Sequence, residues 1–331
     1  MDKVFCFGEI LLHYSPEVNS DFIANQNMPF CLGGAELNVA TALANWEVPV
    51  AYCTAMPDNF LSKAIITNLS SKHIDTSAIN FSGNRMGVFY LAQGMDMKNA
   101  AVVFDRANSS FANLQKGMID WEKQLQGIGW FHITAISASL TTSATEVCLE
   151  ALKAASAMGI PISIDLNYRP KLWQYGKTPL EVMPELVQYA NVIMGNLWAV
   201  EKMLGVQSTI KESAGCSAEQ LNNAAKESMK ELTVLYPKAQ HIAYTFRLAD
   251  EYHGVLKQED QCYISQLHTL DNIINIVGSG DCFMAGLIFA IQQNKTPQDK
   301  INFAAAAGVG KLYELGDATH QTIEQIKKRM S

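Results

Sequence analysis

The chain is 331 residues long, 48% hydrophobic and 17% charged, a composition that supplies a large buried core and excludes an intrinsically disordered polymer. A formal net charge of −7 at pH 7 argues against nucleic acid or an anionic membrane as the main partner, although a small anionic substrate needs only a few placed arginines. No run of about 18 apolar residues suggests a membrane span, and the opening MDKVFCFGEILL, interrupted by Asp2 and Glu9, does not read as a secretory leader, so a cytoplasmic protein is expected.

In chain order, VFCFG (4–8) and PVAYCTA (49–55) read as strands, with GAELNVATALANW (34–46) as the helix between them. Two stretches break the rhythm. Residues 12–32 hold Pro16, Pro29 and polar residues without a helical period, and residues 85–106 hold two β-rich runs, MGVFYLAQG and AAVVFDR. Together they read as a small sheet inserted into the body and placed to cover the C-terminal ends of the main strands. WFHITAI (130–136), IPISIDL (160–166), NVIMG (191–195) and HIAYTF (241–246) are further strand candidates. Helical stretches such as 143–158 and 217–232 separate them. Strand, helix and strand repeated in this way predict an α/β fold with a mostly parallel sheet covered by helices. The seven cysteines are scattered without a C-x-x-C pair and read as buried thiols; the seven histidines show no metal-ligand spacing.

NIVGSGDCFMAG (275–286) raises the functional question. Gly278, Ser279 and Gly280 suit a sharp turn with exposed amides, and Asp281 stands where an apolar helix begins. One reading is a tight strand-to-helix connection, with Asp281 merely complementing the helix dipole. A dinucleotide fingerprint fails because Phe283 stands where G-x-G-x-x-G needs its last glycine, and no Gly-Lys-Ser/Thr follows to make a Walker loop. The remaining reading is phosphoryl transfer, with amides at 278–281 holding charge on the phosphate and Asp281 taking the proton of an attacking hydroxyl.

GGAELNVATALANW (33–46) and GSGDCFMAGL (278–287), in that order, resemble the paired signatures of the ribokinase-like (PfkB) sugar kinases, and the resemblance covers essentially the whole chain. It implies a three-layer α/β sandwich forming a single kinase domain over 1–331, with the inserted β segments as a lid. It also implies ATP and Mg²⁺ as cofactors and, as is common among relatives, a homodimer through the lid. Asp281 becomes the catalytic base, and Gly278, Ser279 and Gly280 the anion hole. FGEILLHYSPE (7–17), GVFYLAQG (87–94), VVFDRANSSF (102–111) and DLNYRPKLW (165–173) together resemble 2-keto-3-deoxygluconate kinases more than fructokinases, ribokinases or adenosine kinases.

For such a substrate, Arg106 and Arg169 are expected to hold the carboxylate, which a guanidinium matches with two parallel hydrogen bonds. Gly34 would allow close backbone approach, Asn38 would bond sugar hydroxyls, and Tyr90 would offer a ring face and a hydroxyl. Thr245 and Arg247, in HIAYTFR (241–247), together with Asn196, Gly278 and Gly280, are assigned to ATP, and the small residues of NFAAAAGVGK (302–311) to the back of an adenine pocket.

Three departures stand out. NLWAVE (196–201) keeps Asn196 of the family's Asn-x-x-Glu but has Ala199 for the acid, and Glu201 points to another side of a helix. Asn275 replaces the usual Asp before the turn, and Phe104 an aromatic hydroxyl. The metal ligands are therefore left unassigned. A fructokinase or other sugar kinase, or a binding protein with impaired chemistry, are the alternatives; the retained Asp281 and glycine turn favour a working kinase.

Overall fold

A computed structural model of the protein describes residues 1–16, 28–91, 102–213 and 215–330. A ten-stranded sheet forms its centre. From Ile74–Asp75 at one edge the order runs through Val50–Cys53, Val4–Phe7, Trp130–Thr134, Ile162–Asp165 and Val192–Gly195 to His241–Arg247, all parallel. Beyond that, Glu251–Gln258 and Gln261–Ile264 continue the sheet antiparallel, an extension the sequence reading did not include.

The strands are apolar on both sides because both sides are covered. Phe5 and Phe7 point into one core, Val4 and Cys6 into the other, as the two-residue period of a strand requires. The helices Thr142–Ala157, Pro179–Val187, Leu197–Leu204 and Ala218–Leu235 fill the first core. Ala35–Asn45, Ser279–Gln292 and Pro297–Lys311 fill the second. The result is the expected three-layer, ribokinase-like sandwich.

Chain order reverses between Val4–Phe7 and Trp130–Thr134, so the loops leaving these neighbouring strands diverge and open a crevice at their C-terminal ends. Over that crevice lies a separate four-stranded sheet made of Phe30–Gly33, Leu11–Tyr14, Gly87–Tyr90 and Val103–Asp105. These strands come from the stretches expected to form the lid; residues 17–27 and 92–101 of those stretches lie outside the described residues.

One strand ends earlier than its apolar run suggests. WFHITAI stops pairing at Thr134, whose Oγ1 accepts the Ile136 N–H at 3.3 Å and starts the short helix Ala135–Ala138. Glu36 fixes that corner by accepting from the Thr134 N–H and hydroxyl at 3.0 and 2.8 Å. All seven cysteines are free thiols. No helix among the described residues is long and apolar enough to cross a membrane.

Candidate active site

The helix Ser279–Gln292 starts at Gly278, which adopts φ +81°, a left-handed conformation that glycine takes without strain. A Cβ at this position would collide with the carbonyl oxygen of Asp317. The Ser279, Gly280 and Asp281 amides, in the first helical turn, have no acceptor within the helix. The Ser279 hydroxyl turns away and donates to the Gly308 carbonyl at 2.9 Å, so the turn offers its backbone. Asn275 clamps the turn from behind: its Nδ2 donates to the Gly316 carbonyl at 2.7 Å and its Oδ1 accepts from the Val277 N–H at 3.0 Å. An aspartate could accept here but not donate, which gives this departure from the family pattern a structural reason.

Asp281 is only 7% exposed. Asn38 Nδ2 donates to its Oδ2 at 2.7 Å and Asn167 Nδ2 approaches its Oδ1 at 3.4 Å. Burial pushes this carboxyl up to about 7; the charges of Asp165 and Glu36 add to the effect, while the Asn38 bond and Arg169 oppose it. Asp165, at the end of its strand, is raised to about 6, again chiefly by burial and against the Asn167 amide and Arg169. A carboxyl with such a pKa suits a general base working near neutrality.

A cleft of about 650 Å³ opens between the body and the lid sheet. Gly34, Asn38, Arg106, Arg169, Asn196, Thr245, Arg247, Gly278, Ser279, Gly280 and Asp281, dispersed over the whole sequence, all line it. Arg106 reaches it already paired: its Nε donates to Glu9 Oε2 at 2.6 Å, with both side chains buried. Glu9 Oε1 and Asn38 Oδ1 are buried acceptors with no donor among the described residues, the complement of a ligand rich in hydroxyls. Asn196 caps the Leu197–Leu204 helix, its Oδ1 accepting the Ala199 N–H at 2.9 Å.

Tyr90 does not line the cleft. Along the strand Gly87–Tyr90 side chains alternate, so Phe89 faces the cleft with Phe104 while Tyr90 stacks on Tyr14 at 5.6 Å on the other side. The sequence contains both residues side by side, and only the register decides between them. The Ala-rich segment 302–311 is likewise absent from the lining. Its small residues let two helices close up instead, for a Cβ at Gly286 would stand 3.0 Å from Ala304 Cα and 3.1 Å from Ala307 Cβ.

Sequence reasoning assigned no role to Glu9, Asp165, Asn167, Phe89 or Asp317, which also line the cleft. The signal was partly present, since Asp165 and Asn167 belong to DLNYRPKLW and Glu9 to FGEILL. Asp317 ties body to lid: its Oδ1 lies 2.8 Å from His13 Nδ1, and the same imidazole stacks on Phe89 at 4.1 Å.

Residues 1–320 match the pfkB family carbohydrate kinase model. The chain belongs to this family. A 2-dehydro-3-deoxygluconokinase (2-keto-3-deoxygluconate kinase) from Thermotoga maritima has a solved structure that superposes with a TM-score of 0.90, at 30% identity over 100% of this chain and 99% of that one. The 2-dehydro-3-deoxygluconokinase of Haemophilus influenzae is 24% identical over 89% of this chain and 88% of its own length. A 2-dehydro-3-deoxygalactonokinase from Haloferax volcanii is 26% identical over 52% of this chain, and the match spans only 54% of that enzyme. This protein is thus a PfkB sugar kinase whose similarities centre on the ketodeoxysugar-acid kinases.

Proposed function

We propose that this PfkB kinase transfers the γ-phosphoryl group of ATP to the 6-hydroxyl of 2-keto-3-deoxygluconate. The observation that carries the reading is Asp281, a buried carboxyl raised to about 7, placed in the helical turn whose free amides open on the same cleft. Asn38 and Asn167 hold both its oxygens, which aims the carboxylate and limits its rotation. Asp281 takes the proton of the 6-hydroxyl as that oxygen bonds to the γ-phosphorus, while the bond from phosphorus to the β–γ bridging oxygen breaks and ADP leaves. The amides at 279–281 receive charge on the equatorial oxygens, where preorganised donors are most effective.

Asp165 lines the cleft with a hard carboxylate of the kind a hydrated Mg²⁺ accepts, so it would hold that ion despite Ala199, while Glu36 is spent on Thr134 and Ser137. When bound, Mg²⁺ would neutralise phosphate charge. Arg106 and Arg169 bring positive charge to the sugar-acid carboxylate, and the spare acceptors Glu9 Oε1 and Asn38 Oδ1 take sugar hydroxyls. The lid sheet limits access of water, a competing acceptor for the phosphoryl group. The structural use of Asn275 supports a working kinase over an impaired binding protein.

The test is ADP release with ATP, Mg²⁺ and a panel of 2-keto-3-deoxygluconate, 2-keto-3-deoxygalactonate, fructose, ribose and gluconate. Turnover confined to the ketodeoxysugar acids supports the reading. Faster turnover of fructose replaces it with a fructokinase, and ligand-induced thermal stabilisation without turnover replaces it with a binding protein.

A further inference from the structure

Lys311, the last residue of the Pro297–Lys311 helix, has 0% exposure, an unusual position for an ammonium group. It lies directly behind the glycine turn: its Cε would be 3.4 Å from a Cβ at Gly278. Its Nζ donates to the Glu314 carbonyl at 3.4 Å. The loop after it is fastened to the same turn, since the Ile274 and Asn275 amides donate to the Leu312 carbonyl at 2.9 and 3.1 Å and Asn275 Nδ2 bonds Gly316.

The surroundings of the ammonium are acidic. Burial lowers the pKa of Lys311, and the acids Glu314, Asp317 and Asp281 oppose that. Glu314 spends its carboxylate on the Thr319 hydroxyl and the His320 amide, and Asp317 Oδ1 on His13, while Asp317 Oδ2 is buried and makes a hydrogen bond of normal geometry with no donor among the described residues. Removing Lys311 would leave these acids without the ammonium that lies behind the turn. A cation fixed in a water-poor interior acts on that group with little screening.

We propose that Lys311 is a positioning residue for phosphoryl transfer, a built-in cation that offsets Asp317 and makes the 278–281 turn attractive to the γ-phosphoryl group. This rests on the reading of that turn as the phosphoryl site. Lys311 touches neither nucleotide nor sugar; it acts through the turn and the loop 312–317.

The experiment compares Lys311→Met with the double variant Lys311→Met/Asp317→Asn, which also removes the stranded carboxylate and so guards against a simple failure to fold. Asp317→Asn alone is the control. Calorimetry with Mg²⁺ measures affinity for a non-hydrolysable ATP analogue and for ADP, alongside kcat and KM. The expected result is a loss of at least about fivefold for the triphosphate and less than about twofold for ADP, with kcat down about ten- to a hundredfold and the sugar KM little changed.

The double variant is expected to recover at least part of the triphosphate affinity lost in Lys311→Met, since it also removes the acid that Lys311 offsets. Equal losses for both nucleotides, no loss, or a double variant no better than Lys311→Met would overturn the proposal. A triphosphate-specific loss in a protein that phosphorylates no sugar acid leaves Lys311 standing and removes the proposed substrate. Normal turnover that depends on Asp281 but not on Lys311 does the reverse.

Discussion

The two walls of the cleft are made differently. The body wall is backbone and buried acid: a left-handed glycine, free amides, and Asp281 held by two asparagines. The lid wall is side chains: Phe89, Phe104, and Arg106 bound to Glu9 from the body. A wall made of backbone performs the same chemistry on any substrate that reaches it. A wall made of side chains selects which substrate does. Reaction class should therefore fail when the 278–281 turn is altered, and substrate preference when the recognising side chains are, Arg106 on the lid and Arg169 and Asn38 on the body.

The largest effect is expected from Asp281→Asn, with kcat down about a thousandfold or more through loss of the base. In the unaltered protein kcat/KM should rise with pH and reach half its plateau near 7, where Asp281 ionises. Stability gives an independent check. The folded pKa of Asp281 lies above its ordinary value of 3.8, so its contribution is complete below that value and is lost as pH rises through about 7. Keeping the charge buried at pH 8 costs up to about 4 kcal/mol. Asp281→Asn never ionises, so it should melt at a higher temperature than the unaltered protein at pH 8, with the gap closing toward pH 4. Residual turnover near the unaltered rate would remove Asp281 from the chemistry.

Gly278→Ala attacks the same wall through geometry. A side chain at φ +81° is strained, and its Cβ meets the Asp317 carbonyl. We expect a loss of about 2 kcal/mol or more in stability and about a hundredfold in kcat as the amides turn away. Denaturant unfolding and steady-state kinetics measure the two separately.

Arg106→Ala moves to the lid wall. It strands the buried carboxylate of Glu9, so the single variant confuses recognition with stability. Arg106→Ala/Glu9→Gln separates them. If Arg106 reads the sugar-acid carboxylate, the double variant should lose about ten- to a hundredfold in kcat/KM for 2-keto-3-deoxygluconate while changing little toward fructose. Equal losses on both sugars would mean the pair only holds lid to body.

The same division governs how far sequence reasoning reached. The parallel sheet and its helices follow from apolar runs of strand length and from helical spacing, and both survive small errors of boundary. The turn at 278–281 was legible as a turn because two glycines and an acid precede an apolar helix, but those residues alone also fit a plain strand-to-helix connection. The role of Asp281 as base was implied by the resemblance to the sugar kinases, and its raised pKa lay beyond sequence because burial in the folded cleft, helped by the charges of Asp165 and Glu36, sets it. Nothing nearby in sequence marks Glu9 and Asp317 as partners of Arg106 and His13, which lie 97 and 304 residues away. The antiparallel edge at 251–264 passed unread because the reading stopped at the last parallel strand.

Tyr90 gives the smallest expected effect and the finest division. Phe89 and Tyr90 are adjacent aromatics on one strand, and a shift of one residue exchanges which of them meets the substrate. With Phe89 in the cleft and Tyr90 against Tyr14, Tyr90→Phe removes a hydroxyl from the far side of the lid, and kcat/KM should change by less than about twofold. Phe89→Ala removes a ring that faces the cleft and stacks on His13, so it should raise the sugar KM several-fold and loosen the contact of His13 with Asp317. Steady-state kinetics on the pair fixes the register of the lid strand in the working enzyme. If Tyr90→Phe were the costly change, the tyrosine hydroxyl would have to reach the sugar, and the lid strand would have to present its opposite face when substrate is bound.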